Sequence, residues 1–188
     1  MTQTLQAVGI NAFGCNGASG KMITAVKRPP TVVSGGPAEP VDFGEVGDVV
    51  SVNAELLMGL TDLGVVPVIA TLGVEADSGR VYNINADTTV VQIAKALKAD
   101  LLLLTTAVGA IYRDLSQPET RISKVNASQA QALIKEGVIQ GGMIPKVEEA
   151  ISVLKDGVKN IAIVGPQIKG AFLAVAKGEG SKGTVITL

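Results

Sequence analysis

The sequence predicts an α/β fold, a three-layer sandwich whose sheet is mainly parallel. Three observations carry that expectation. The chain is 47% apolar but only 3% aromatic, so its core must be built from Val, Ile, Leu and Ala, the residues of buried parallel strands. Short continuous apolar runs at residues 65–70, 101–104 and 160–164 have the length of strands covered on both faces. Through the second half these runs alternate with segments of helical spacing, the pattern of parallel strands joined by crossovers.

Taken in order, residues 8–13 read as a short buried strand, 14–20 as a glycine-rich turn and 22–27 as a second strand, together a hairpin. Residues 28–40 are rich in Pro and Gly and read as an exposed loop. Residues 48–52 are strand-like. Helical spacing runs from Ala54 to Leu63, with Asn53 as its cap. A largely β-branched run interrupted by Pro67 covers 65–70, and 80–84 is short and extended. Residues 88–97 form a helix pattern that gathers Val90, Val91, Ile93, Ala94 and Leu97 on one broad face. Residues 100–105 are the clearest buried strand, a run of leucines bounded by a charge and a hydroxyl. Amphipathic helices follow at 129–135 and 143–154, then a strand at 160–164, a short helix at 170–176 and a last strand at 183–188. A lobe boundary near residue 99 divides the chain into 1–98 and 99–188.

Composition excludes several function classes. Sixteen basic residues nearly cancel seventeen acidic ones, and no basic run is interleaved with aromatics, so nucleic acid and membrane surfaces are not expected partners. Histidine is absent and Cys15 is the single cysteine, which removes an intramolecular disulfide, Cys/His zinc sites and any His-based triad. No protein-held metal is expected, and Cys15 reads as a small packed thiol. The apolar stretches are far short of a membrane span. The first six residues lack the basic and apolar regions of a signal peptide, so a soluble, cytoplasmic chain is expected.

The chemistry concentrates in two places. Tyr82-Asn83-Ile84-Asn85-Ala86-Asp87 sets two carboxamides and a carboxylate where an extended segment turns into a helix. Gly141-Gly142-Met143-Ile144-Pro145-Lys146 is a glycine hinge that delivers one lysine near the start of another helix. Carboxamides, an acid and a distant lysine are parts that phosphoryl transfer uses, through positioning and charge stabilisation. The plainer alternative is helix capping by Asn and Asp, and a solvated lysine beside Glu148 and Glu149. Residues 14–21 fail the phosphate-loop pattern, because Cys15 stands at the first glycine and Met22 where Ser or Thr is needed. The small-residue loop of Thr106, Ala107, Val108, Gly109, Ala110 and Ile111 leaves the carboxyl end of the leucine strand, where ligands of open α/β sheets collect. Val138, Ile139 and Gln140 lead into the lysine helix, whose backbone N–H groups and dipole attract phosphate. Pro145 fits the first turn of that helix.

Those segments, in that order, resemble the acetylglutamate kinases of the amino acid kinase family. The matching stretches are Ala12-Phe13-Gly14 with its turn, residues 41–53, residues 82–87, residues 101–111, residues 139–147 and a closing Gly180-Ser181-Lys182-Gly183-Thr184. The resemblance implies transfer of the ATP γ-phosphoryl group to the side-chain carboxylate of N-acetylglutamate, in arginine biosynthesis, with Mg2+ accompanying the ATP. It implies that Asn83 holds the amino-acid substrate with Asn85 close by, that Asp87 orients catalytic lysines, and that Lys146 offsets charge on the transferring group. Residues 106–111 and 138–140 are then nucleotide contacts, lobe 1–98 is a partial substrate lobe and lobe 99–188 binds ATP.

Two departures accompany the resemblance. Thr106 stands where the family usually has an aspartate. The family's opening strand with a catalytic lysine, its glycine-rich turn and its substrate-gripping arginine have no counterpart here, and Met1 falls at what resembles a mid-chain helix. The expectation is therefore a poor kinase as this polypeptide alone, acting as a homo-oligomer or with another chain that supplies the remaining groups. The alternatives are a non-catalytic nucleotide-binding or regulatory remnant, and a kinase for another acylated amino acid such as carrier-bound aminoadipate.

Overall fold

A computed structural model of the chain describes residues 1–32, 38–178 and 182–188. The expected loop at 28–40 and the closing motif at 180–184 therefore lie partly outside the described residues. The chain divides into two compact units, Met1–Leu97 and Lys98–Leu188.

The first unit runs α1 (Thr2–Ala7), β1 (Ala12–Asn16), β2 (Ile23–Lys27), β3 (Gly47–Val52), α2 (Ala54–Asp62), β4 (Val66–Ala70), β5 (Leu72–Val74), β6 (Val81–Asn83) and α3 (Ala86–Leu97). Strand β1 pairs in parallel with β4, and a second sheet has the order β3-β2-β5-β6. The turn after α1 explains why the first strand starts later than its apolar residues suggest. Gly9 adopts φ 82°, the Gly9 N–H donates to Gln6 O (3.0 Å) and the Ile10 N–H to Leu5 O (3.0 Å). That is the Schellman closure of a helix, so residues 8–10 terminate α1 and Val8 is 70% exposed.

The expected hairpin of residues 8–27 does not form. Asn16 Oδ1 accepts from the N–H groups of Ala18 (2.9 Å) and Ser19 (3.2 Å), and the Gly17 N–H donates to Ala70 O. This side-chain-closed turn sends the chain from the β1–β4 pair into the other sheet, where β2 runs antiparallel to β3 and parallel to β5. The core of this unit centres on Met22, Ile23 and Leu57, joined by Leu56 and Leu60 of α2, Ile93 and Leu97 of α3, and Cys15 and Ile69 of the strand pair. Asn53 caps α2 by accepting from the Leu56 N–H at 3.0 Å. β5 escapes sequence pattern because it is only three residues long and contains Gly73.

The second unit runs β7 (Leu101–Thr105), β8 (Ile111–Tyr112), β9 (Arg121–Ile122), β10 (Lys124–Asn126), α4 (Ala127–Lys135), α5 (Met143–Lys155), β11 (Asn160–Val164), α6 (Ala171–Ala176) and β12 (Thr184–Thr187). Its sheet has the order β10-β12-β11-β7. β7 and β11 are parallel with Leu102 opposite Ile161. β12 is antiparallel to β11, because it enters the sheet beside the end of β11 rather than crossing back to its start. The sheets are thus mixed, with parallel pairs at β1–β4, β2–β5, β7–β11 and β10–β12. Ala162 and Val164 cluster with Ala171 and Val175 of α6. Strand alternation turns Ile161 and Ile163 to the opposite face, and α5 also packs against β11. With both faces covered, residues 161–164 of β11 are fully buried. Asn126 and Gln129 close α4 with a capping box.

One buried hydroxyl ties three strands of this unit together. Thr184 Oγ1, at 0% exposure, accepts from the Ile111 N–H (2.8 Å) of β8 and donates to Ile122 O (2.6 Å) of β9. Replacing Thr184 by Val strands both backbone groups, so Thr184→Val should lower stability by about 1–3 kcal/mol, read as a shifted urea midpoint at unchanged slope.

Exposed ion pairs add a pH-dependent contribution. Hydrogen bonding to Arg80 holds the Glu45 carboxyl below its usual range, and Lys159 does the same for Asp100. A depressed folded-state value contributes stability that is present above the ordinary carboxylate range and is lost as pH falls through the lowered value. Glu45→Gln and Asp100→Asn should therefore lower stability at neutral pH and match the unsubstituted chain in strong acid. Urea midpoints across that range check this.

Candidate active site

In the first unit, strand alternation puts Tyr82 and Ile84 inside and leaves Asn83 and Asn85 exposed on the other face. Asn83 ends β6, with its N–H bonded to Glu45 O at 2.8 Å. Asn85 starts α3. Its Oδ1 accepts from the N–H groups of Asp87 (2.9 Å) and Thr88 (3.2 Å), and its backbone O accepts from the Thr89 N–H and hydroxyl, both at 2.9 Å. The carboxamide oxygen of Asn85 is thus engaged in capping, and its remaining polar atom for a ligand is Nδ2. Asp87 is half-buried in the first turn of α3, where the positive helix end favours a carboxylate.

In the second unit, the 106–110 loop leaves β7 beside the end of β11. The Thr106 N–H donates to Val164 O (3.1 Å), and Thr106 Oγ1 accepts from the Val108 N–H (3.1 Å). Ala107 O accepts from Gln167 Nε2 (2.7 Å). Gly109 adopts φ 83°, and a Cβ there would stand 3.2 Å from Gly165 Cα. These bonds fold the loop into a wall rather than a loose connection.

That wall bounds a cavity of about 670 Å³. Thr106, Val108, Ala110 and Ile111 line it, as do Val138, Ile139 and Gln140, and Lys146 of α5. Ala107 and Gly109 do not line it; they support the loop behind it. Gln140 Nε2 donates to Gly137 O, which fastens the second wall. The first amides of α5 are less available than the sequence suggests: Met143 N–H goes to Gln140 O (3.2 Å), Ile144 N–H to Gly141 O (3.1 Å), and Pro145 has none. Half-buried Lys146, not bare helix amides, is the cation this end of the cavity presents.

Sequence reasoning missed Tyr112, Arg113, Asp114 and Leu115, which also line the cavity, as do Gly142 and Met143 of the expected glycine hinge. Asp114 closes a turn, accepting through Oδ1 from the Ser116 N–H (2.9 Å) and Oγ (2.7 Å) and through Oδ2 from Gln117 Nε2 (2.9 Å). Those bonds hold its carboxyl below the usual range. Asp-x-Ser-Gln was the available signal for this turn. The cavity combines an apolar strip of Val108, Leu115, Val138, Ile139 and Met143 with two cations, suiting a ligand with a flat apolar part and an anionic tail.

Residues 1–165 match the model of the amino acid kinase family. The chain belongs to that family. An acetylglutamate kinase of Anaeromyxobacter dehalogenans is 43% identical over 182 residues, 97% of this chain and 67% of that protein. The chain spans about two thirds of the length of the curated relatives it matches. Two solved structures share the amino acid kinase fold at low identity. N-acetylglutamate synthase of Neisseria gonorrhoeae with coenzyme A and N-acetylglutamate superposes with a TM-score of 0.76 at 21% identity, covering 99% of this chain and 40% of that one. Carbamate kinase of Giardia lamblia bound to AMP-PNP gives a TM-score of 0.67 at 21% identity, covering 100% of this chain and 66% of that one. Among the described residues, no helix is long and apolar enough to cross a membrane.

The left-handed glycine of the 106–110 loop gives a test of the wall it supports. Gly109→Ala forces a side chain into a left-handed conformation and against Gly165, and should cost at least about 1–2 kcal/mol of stability. Denaturant midpoints of the two forms measure it.

Proposed function

We propose that the chain is an ATP-dependent acetylglutamate kinase component, acting in the cytoplasm, that moves the γ-phosphoryl group of ATP to the side-chain carboxylate of N-acetylglutamate. The carrying observation is the second-unit cavity, where a loop at a strand's carboxyl end, an apolar strip and Lys146 share one space. The 43% identity to a curated acetylglutamate kinase supports the choice of substrate.

In this reading the base lies against Val108, Val138 and Ile139, and the phosphate chain runs toward Lys146. Lys146 then balances the charge that spreads over the transferring group, the electrostatic contribution on which such transfers depend. Asn83 holds the amino-acid substrate, Asn85 assists through Nδ2, and Asp87 orients catalytic lysines. Mg2+ would neutralise phosphate charge.

The test is hydroxylamine trapping of the acyl phosphate, with ATP binding followed separately. Product that requires both ATP and N-acetylglutamate is expected only at a low rate from the unsubstituted chain alone, and Lys146→Ala should lower that rate further, by about 10²–10³-fold, with ATP still bound. ATP binding with no trapped product would instead support a non-catalytic nucleotide-binding chain.

A further inference from the structure

We propose that Arg113 is a second anion-binding residue of the cavity, one that exchanges a weak contact with Glu136 for the phosphate chain of a nucleotide. The inference rests on the nucleotide reading above. Arg113 follows β8 directly, and its own N–H donates to Thr120 O (3.2 Å), which fixes the backbone at the cavity wall. Its guanidinium Nη1 lies 3.8 Å from Glu136 Oε2, with side chains 64% and 57% exposed. That distance is beyond a hydrogen bond, and so exposed a pair contributes little to stability.

Glu136 is the C-cap of α4, immediately before the 137–140 wall of the cavity. The pair therefore spans from the loop after β8 to the opposite wall without locking them together. Charge balance gives the contact its meaning. The charged lining comprises Lys146, Arg113 and Asp114, and the Asp114 carboxylate is already filled by Ser116 and Gln117. Neutral donors thus hold that carboxylate in its own turn while the arginine is held loosely, and the lining carries two cations against one anion. A guanidinium offers phosphate oxygens a planar pair of donors that its 3.8 Å carboxylate neighbour does not use. Lys146 reaches in from α5 and Arg113 from the loop after β8. An extended polyphosphate can engage both, whereas a nucleoside engages neither.

Calorimetric binding of ATP, AMP and adenosine to the full chain and to Arg113→Ala, Arg113→Lys and Glu136→Gln tests this. Arg113→Ala should weaken ATP by roughly tenfold while leaving adenosine unchanged. Arg113→Lys should recover part of the loss, and Glu136→Gln should bind ATP at least as tightly as the unsubstituted chain. ATP affinity untouched by Arg113→Ala overturns the proposal, as does an equal loss for ATP and adenosine, which would mark a packing role. Failure of the unsubstituted chain to bind ATP overturns the nucleotide reading and this inference together. Normal ATP binding by both the unsubstituted chain and Arg113→Ala overturns this inference alone.

Discussion

The parallel pairing of β7 with β11 is the constraint on which the second unit depends. Because Thr105 lies opposite Val164, the two strands finish at the same level and their following loops leave side by side. The Thr106 amide then reaches Val164 O, and Gly109 lies so near Gly165 that an added Cβ would stand 3.2 Å from its Cα. A wall made in this way is as rigid as the sheet behind it. The site at the carboxyl edge is thus a consequence of strand direction, as in other open α/β sheets.

The loops add what the sheet does not provide. Thr184 fastens the β8–β9 hairpin to β12 with a buried hydroxyl, and so brings residues 111–115 to the cavity. The early amides of α5 close on residues 140 and 141, leaving a lysine side chain as that helix's anion donor. The positive charge of the lining therefore resides on the side chains of Lys146 and Arg113, while the Asp114 carboxylate is held in its own turn.

Much of this was legible in the sequence. The leucine run of β7, the buried β11 and the spacing of α3 and α5 are long or strongly patterned, and their burial follows the pattern. Asn53 and the helix it caps were equally readable. The strand-end loop and the glycine hinge were visible as segments, and the cavity joins them because each sits at the end of a well-patterned element. What escaped had no local signature. β8 and β9 are two residues each, and only their pairing across an eight-residue connection makes them strands. β1 was displaced because the closure of α1 uses apolar residues that otherwise read as sheet. The supposed hairpin failed because Asn16 builds a turn that changes sheets, a choice governed by partners far along the chain. Arg113 has no local signature, and it is the chain leaving β8 that places it at the cavity.

Asn85 carries a consequence for reading genetic variation at this position. One amide group begins a helix and, in the proposed reading, also assists the substrate, so two demands would bear on a single side chain. An exchange for aspartate keeps an oxygen for the helix but removes the only N–H donors, and an exchange for alanine removes both. The effects of altering this position on folding and on chemistry are therefore separable only by substitutions that keep one oxygen in place.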